Sequence, residues 1–169
     1  QVERVITLAC VSNEVGGDLI GNAVWRGVLL RDLLNEAGVQ PAAEQIFSTS
    51  VDGWTCGFPV GAAFDGRDAM VAVGMNGATL PLEHGFPARL VIPGLYGYVS
   101  ATKWLDRIKL TSWDEEGYWV PRGWSREAPI KTQSRIDVVR AASGSSGATG
   151  TSREYVIAGV AWAQYRGVE

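Results

Sequence analysis

Histidine occurs once in this 169-residue chain and cysteine only twice. The lone histidine, His84, has no second ligand at metal-site spacing, so an ordinary zinc centre is excluded. Two cysteines, Cys10 and Cys56, are too few to staple a small scaffold; a Cys10–Cys56 bridge and a pair of free thiols both stay open. Basic residues are not in excess either. Fifteen Lys and Arg stand against eighteen Asp and Glu, a formal charge of −3, and the electrostatic footprint of a nucleic-acid binder is missing. No apolar run approaches the ~18 residues of a membrane-spanning helix, and no leader segment is visible. Gly16-Gly17 with Gly21 lacks the spacing and the lysine of a phosphate loop. No G-x-S-x-G elbow supplies a hydrolase nucleophile.

What is present is enough apolar material for a core: 46% hydrophobic against 20% charged residues. Seven tryptophans are scattered too widely to predict a stacking stripe, and they read as core or rim residues. Val2–Cys10 reads as a strand and Val11–Asn22 as a glycine-bearing loop. Apolar residues at 29, 30, 33, 34 and 37 predict a helix over Val28–Ala37, stopped by Gly38. Gln45–Val51 is strand-like, and Asp52–Gly57 is a loop. Ala69–Met75 is a strand followed by Asn76-Gly77, the strongest hairpin signal in the chain. Arg89–Ile92 and Lys103–Leu110 complete the strands of this part. Strands and one clear helix interleave irregularly, which predicts an α+β fold.

Both ends read as cut. A strand begins at residue 2, and a flexible linker composition over 141–152 is followed by a single strand-like run, Tyr155–Trp162. The expected organisation is a domain over 1–140, a linker over 141–152, and the opening of a second domain over 153–169. One strand cannot bury its own face, so Tyr155–Trp162 is expected at an edge or in a detached tail, with Trp162 incompletely covered.

Chemistry-bearing residues fall in four places. Cys10 sits where an apolar strand meets a glycine-rich loop, and a soft thiolate there suits a soft or high-valent metal; the bland alternative is a buried structural thiol. His84 and Arg89, in LEHGFPAR, could hold an anion such as a phosphate. Asp52 in VDGWT offers a carboxylate inside an Asx-type turn. Ser100, Thr102 and Lys103 form a donor cluster ahead of a strand.

Taken in order, LACVSNEVGG, NAVWRGVLLRDLL, MNGATLPLEHGFPARLVIPGLYG and TKWLDRIKL resemble the sulfite oxidase family of molybdenum enzymes, and more closely its bacterial molybdopterin-binding branch. The tail AGVAWAQYRG is similar to the first strand of the Ig-like dimerisation domain of that family. The resemblance implies a sulfite oxidase-type fold with mixed sheets and few helices, followed by the start of an Ig-like β-sandwich. It implies a molybdenum-molybdopterin cofactor, with Cys10 as the metal's thiolate ligand. Asn13, Asp52, His84, Arg89, Ser100 and Lys103 would be cofactor contacts, and Arg166 a catalytic residue bordering the substrate. It further implies oxygen-atom transfer to or from a small oxyanion or an S- or N-oxide, and a redox partner such as a haem protein. Dimerisation through a downstream domain, an upstream membrane anchor and an extracytoplasmic location complete the expectation.

Two departures from the family pattern stand out. Glu14 occupies the place of an arginine in the C-x-G-N-R motif of the sulfite oxidases. Trp124 lies in the segment that carries their catalytic tyrosine, with Tyr118 the nearest tyrosine. A non-catalytic extracytoplasmic interaction domain of the same fold is the competing expectation.

Overall fold

The computed structural model describes residues 1–142, 154–163 and 167–168. The chain divides into two compact units, Gln1–Ile130 and Lys131–Glu169.

The first unit is α+β. Strands β1 (Val2–Ala9), β2 (Ile20–Leu29), β5 (Met70–Met75), β6 (Ala78–Thr79) and β7 (Arg89–Val91) make one sheet, in the order β1-β2-β5-β6 with β7 also on β5. Strands β3 (Gln45–Ser50), β4 (Thr55–Pro59) and β8 (Leu105–Thr111) make a second, in the order β4-β3-β8. Helices α1 (Leu30–Ala37) and α2 (Gly97–Ser100) are short. Mixed sheets were expected; every pairing between the named strands is antiparallel. Three of the pairs, β1–β2, β3–β4 and β5–β6, join strands that follow one another in the chain, a connection that allows antiparallel pairing without a long crossover.

Local sequence accounts for most of these elements. In β2 the residues Ala23, Trp25, Gly27 and Leu29 are buried in alternation, the period of a strand with one covered face. That strand runs through Leu29, so the helix starts two residues later than its apolar spacing predicts. Val28 and Leu29 are paired with Val71 and Met70, and the Leu30 amide donates to the Ala69 carbonyl. The Asn76-Gly77 turn forms as expected, with φ of 51° and 80°, the backbone of a type I′ hairpin.

Two apolar clusters hold the unit together. One gathers Leu30, Leu34, Ile46, Phe58, Leu90, Ile92, Leu95 and Val99; the other gathers Ile6, Trp25, Met70, Leu80 and Val91. Neighbouring residues of β7 serve different clusters, Leu90 the first and Val91 the second, because successive side chains of a strand point to opposite faces.

In the second unit β9 (Gln133–Ala141) pairs antiparallel with β10 (Tyr155–Trp162). The compact units thus meet after Ile130, and β10 has a partner strand in β9. Its partner escaped the sequence reading because Arg135, Asp137 and Arg140 break up the apolar run. Both strands of the hairpin are largely exposed, Val156, Ile157 and Val160 included, and Trp162 is half-buried as expected. The central part of the expected linker, from residue 143, lies outside the described residues.

Candidate functional site

Two stretches far apart in the chain enclose a cleft of about 300 Å³, lined by Ser50, Asp52, Trp54, Gly97, Ala101, Lys103 and Trp104. The first stretch is the turn from β3 to β4. Its backbone closes on itself: the Ser50 amide donates to the Trp54 carbonyl at 2.9 Å and the Gly53 amide to the Ser50 carbonyl at 3.0 Å. Asp52 completes an Asx turn by accepting the Trp54 amide on Oδ1 at 3.0 Å. That amide is the main reason the Asp52 carboxyl is held below its usual range; the nearby Ser50 hydroxyl and the Lys103 cation act in the same direction.

The second stretch is α2 and the residues after it. Trp104 has φ of +48°, a left-handed backbone that a bulky residue seldom adopts. Its indole Nε1–H donates to the Leu82 carbonyl at 2.8 Å. The Lys103 Nζ lies 4.4 Å from the Trp104 ring centre and donates to the Glu83 carbonyl at 2.9 Å. Backbone strain in Trp104 is thus offset by contacts that fix Lys103 beside the 82–84 turn.

Arg89 meets the same turn at the next carbonyl. It is 5% exposed, and its Nη1 donates to the His84 carbonyl at 3.0 Å. Nη2 and Nε point at the Ala101 and Leu90 carbonyls, each at 3.4 Å, and the guanidinium carbon stands 5.0 Å from the Trp25 ring centre. No carboxylate faces it among the described residues, and burial pulls its pKa down to about 10. Gly85, at φ +107°, closes the junction: a β-carbon there would stand 3.0 Å from Lys103 Cβ and 3.2 Å from Arg89 Cβ. The structure therefore gathers Arg89, Lys103 and the backbone of His84, while the His84 side chain is exposed.

Cys10 is free and exposed. It opens the β1–β2 loop, where its amide donates to the Leu19 carbonyl at 2.9 Å and its carbonyl accepts the Asn13 amide at 3.1 Å. The Asn13 side chain is spent on the loop, accepting the Leu19 amide at 2.7 Å. A β-carbon on Gly97 would stand 3.7 Å from the Ala9 carbonyl oxygen, so the residue before Cys10 lies against a residue that lines the cleft. No disulfide forms. Cys56 is buried among hydroxyls, its Sγ 3.0 Å from Thr102 Oγ1, which is itself 2.8 Å from Ser48 Oγ. Burial pushes the Cys56 thiol up in pKa and outweighs those hydrogen bonds.

Not every expected contact reaches the cleft. Ser100 is fully buried and is not among the residues lining the cleft; it gives its hydroxyl to the Leu95 and Tyr96 carbonyls just ahead of α2. Arg166 lies outside the described residues.

The cleft walls hold residues that the sequence reading passed over. Ser50, Trp54 and Trp104 carry no local signal, because only the fold brings positions 50–54 beside 97–104. The scattered tryptophans also converge. Ring centres connect Trp54 to Tyr118 at 5.1 Å, Tyr118 to Trp119 at 5.1 Å, Trp119 to Trp124 at 5.8 Å and Trp124 to Tyr98 at 5.3 Å. This aromatic series starts at the cleft and brings together three of the seven tryptophans that the sequence reading held too scattered to stack; their core and rim positions are as expected. It seats Tyr118 against Trp54, with the Arg122 guanidinium 3.8 Å above the Tyr118 ring.

Comparison with known proteins places this geometry. Residues 1–119 match the family described as the oxidoreductase molybdopterin binding domain. The uncharacterized oxidoreductase YuiH of Bacillus subtilis is 38% identical over 101 residues, covering 60% of this chain and 50% of YuiH. The mitochondrial sulfite oxidase of Drosophila melanogaster is 32% identical over 130 residues, 72% of this chain and 22% of the enzyme. Among solved structures, the sulfane dehydrogenase SoxCD of Paracoccus pantotrophus matches with a TM-score of 0.64 at 26% identity, over 80% of this chain and 40% of that one. The chain thus spans half or less of the length of these relatives.

Proposed function

Because this chain belongs to the sulfite oxidase family of molybdopterin-binding oxidoreductases, whose cofactor is molybdenum-molybdopterin, we propose that it is the cofactor-carrying part of an enzyme that moves an oxygen atom to or from a small oxyanion or an S- or N-oxide. One observation carries the reading. The free, exposed Cys10 directly follows Ala9, whose carbonyl oxygen lies 3.7 Å from where a β-carbon on Gly97 would stand, and Gly97 lines the cleft together with Asp52 and Lys103.

The donor set suits the cofactor. Arg89 is a buried cation with only carbonyls and a ring for company, an arrangement that costs free energy unless an anion comes near. Lys103 bonds the same 82–84 turn one carbonyl earlier, at Glu83. A phosphate brought to this turn would supply the missing charge. Asp52, ionised at neutral pH, offers an acceptor to ring N–H groups. Cys10 offers a soft ligand free of burial. When bound, the cofactor supplies two-electron oxygen-atom chemistry; the chain binds it, orients it and shields one side of it from water. Asn13 acts on the shape of the Cys10 loop, and His84 acts through its backbone. Arg166 would border the oxyanion in the complete enzyme.

A haem protein as electron acceptor or donor, dimerisation through an Ig-like domain to which β9 and β10 belong, and an extracytoplasmic location with an upstream anchor belong to the same reading. No helix among the described residues is long and apolar enough to cross a membrane.

The test is cofactor content and turnover in the full-length protein. Molybdenum and pterin are quantified by mass spectrometry and fluorescence, and activity is assayed with sulfite and with sulfoxides or N-oxides. The reading expects both components in near-equal amounts to protein and activity on one substrate class. A protein that purifies without either from cells making the cofactor would favour the non-catalytic alternative.

A further inference from the structure

Three buried polar side chains join the two stretches that form the cleft. Ser48 comes from β3, Cys56 from β4 and Thr102 from the residues after α2, at 0%, 2% and 1% exposure. Thr102 Oγ1 is the hub, 2.8 Å from Ser48 Oγ and 3.0 Å from Cys56 Sγ. Burial raises the pKa of the thiol; the bonds that partly offset it come from Thr102, Ser48 and the side chain of Trp54, which lines the cleft. The cluster thus touches the first stretch through Trp54 and carries the second on Thr102.

Thr102 also stands at the entry to a strained step. Its carbonyl accepts the Leu90 amide at 2.9 Å. Next come Lys103 and then Trp104, whose φ of +48° is costly for a bulky residue. Past them the chain is clamped again, by the Val51 amide on the Trp104 carbonyl at 3.0 Å and by the pairing of Leu105 with Ser50. A left-handed residue persists only when its surroundings over-determine it. At the exit of the step, the ties to β3 and the turn after it are backbone bonds. At the entry, the tie to β3 and β4 is a side chain, the Thr102 hydroxyl.

We propose that Thr102 is a positioning residue: its buried hydroxyl, latched to Ser48 and Cys56, holds the Lys103–Trp104 step in place and so keeps the Lys103 ammonium at the 82–84 turn. The inference rests on the cofactor reading above for what Lys103 meets there, an anionic group. It adds to that reading a residue outside the expected cofactor contacts.

The test compares wild type, Thr102→Val and Thr102→Ser in the full-length protein, made both in cells that synthesise molybdopterin and in cells that cannot. Valine keeps the shape and loses the hydroxyl; serine keeps the hydroxyl and loses a methyl. The cofactor-free proteins are treated with limiting acetic anhydride under conditions where urea curves show all three folded. Peptide mapping then reads Lys103 against Lys109 and Lys131. Thr102→Val is expected to raise Lys103 labelling about fivefold, the worth of one hydrogen bond, with the two reference lysines unchanged. It is also expected to lose pterin on dialysis about fivefold faster than wild type. Thr102→Ser is expected to match wild type in both. Equal Lys103 labelling in Thr102→Val and wild type would overturn the assignment. So would equal pterin loss, or a Thr102→Ser protein that behaves like Thr102→Val. Wild type without pterin from cells that make it would overturn the cofactor reading, while the labelling, which needs no cofactor, still decides whether Thr102 holds Lys103.

Discussion

Gly97, the first residue of α2, faces the carbonyl of Ala9 across a gap that a methyl group would fill at 3.7 Å. One side of this contact leads to Cys10, and the other lines the cleft. A methyl at 3.7 Å makes an ordinary van der Waals contact. Gly97→Ala is therefore expected to fold and to keep cofactor. Gly97→Phe is expected to fold but to lose most pterin, because the ring must enter the cleft or push the Cys10 loop away. Pterin content and circular dichroism of both variants separate the two effects.

Gly85 offers a backbone test. At φ +107°, with Lys103 and Arg89 atoms within 3.2 Å of a would-be β-carbon, it admits no side chain without movement. Gly85→Ala should cost about 1–3 kcal/mol in urea unfolding. It should also weaken cofactor retention, since the atoms it displaces belong to the two cations of the turn.

The two thiols should behave oppositely. Cys10 is exposed and Cys56 is enclosed by Ser48 and Thr102, with its pKa raised by burial. Iodoacetamide applied to the folded, cofactor-free protein should label Cys10 only, with Cys56 reacting after denaturation. Peptide mapping by mass spectrometry reads the result. Thr102→Val should cost about 1–2 kcal/mol, because it leaves both Ser48 Oγ and Cys56 Sγ without their shared partner.

Acid titration bears on Asp52. Its carboxyl is held below its ordinary value of 3.8 in the folded protein, first by the Trp54 amide. A lowered folded pKa adds stability that is fully present above pH 3.8 and is lost as pH falls through the folded value. Asp52→Asn should flatten that part of the stability–pH curve and leave the neutral region nearly parallel to wild type. Denaturant midpoints between pH 2 and 7 would show it.

Local chemistry made some of this fold legible. Asn76-Gly77 announced its turn because few residues tolerate two successive positive φ values. Leu30 and Leu34 announced α1 by helical spacing. β2 was harder to see, because Gly21 and Asn22 imitate a loop and its last residues overlap the helical pattern. The motif residues Cys10, Arg89 and Lys103 were legible through family resemblance; the cleft was not. Ser50 and Trp104 stand 54 positions apart, and a one-residue irregularity in the β3–β8 register, between Thr49 and Ser50, helps to set their approach. Ser100 misled in the other direction: read as part of the donor cluster, it is buried and gives its hydroxyl to the Leu95 and Tyr96 carbonyls just ahead of α2. Trp54 and Tyr118 likewise meet only because β4 carries a loop partner, with the Tyr118 amide donating to the Thr55 carbonyl at 2.9 Å.

The central proposal is that Cys10 is the protein's ligand to molybdenum. X-ray absorption at the molybdenum edge tests it most directly, on the full-length wild type and Cys10→Ser. The account predicts a molybdenum–sulfur shell in the wild type that loses one sulfur in the variant, with pterin content largely retained. An unchanged sulfur shell in Cys10→Ser would contradict it.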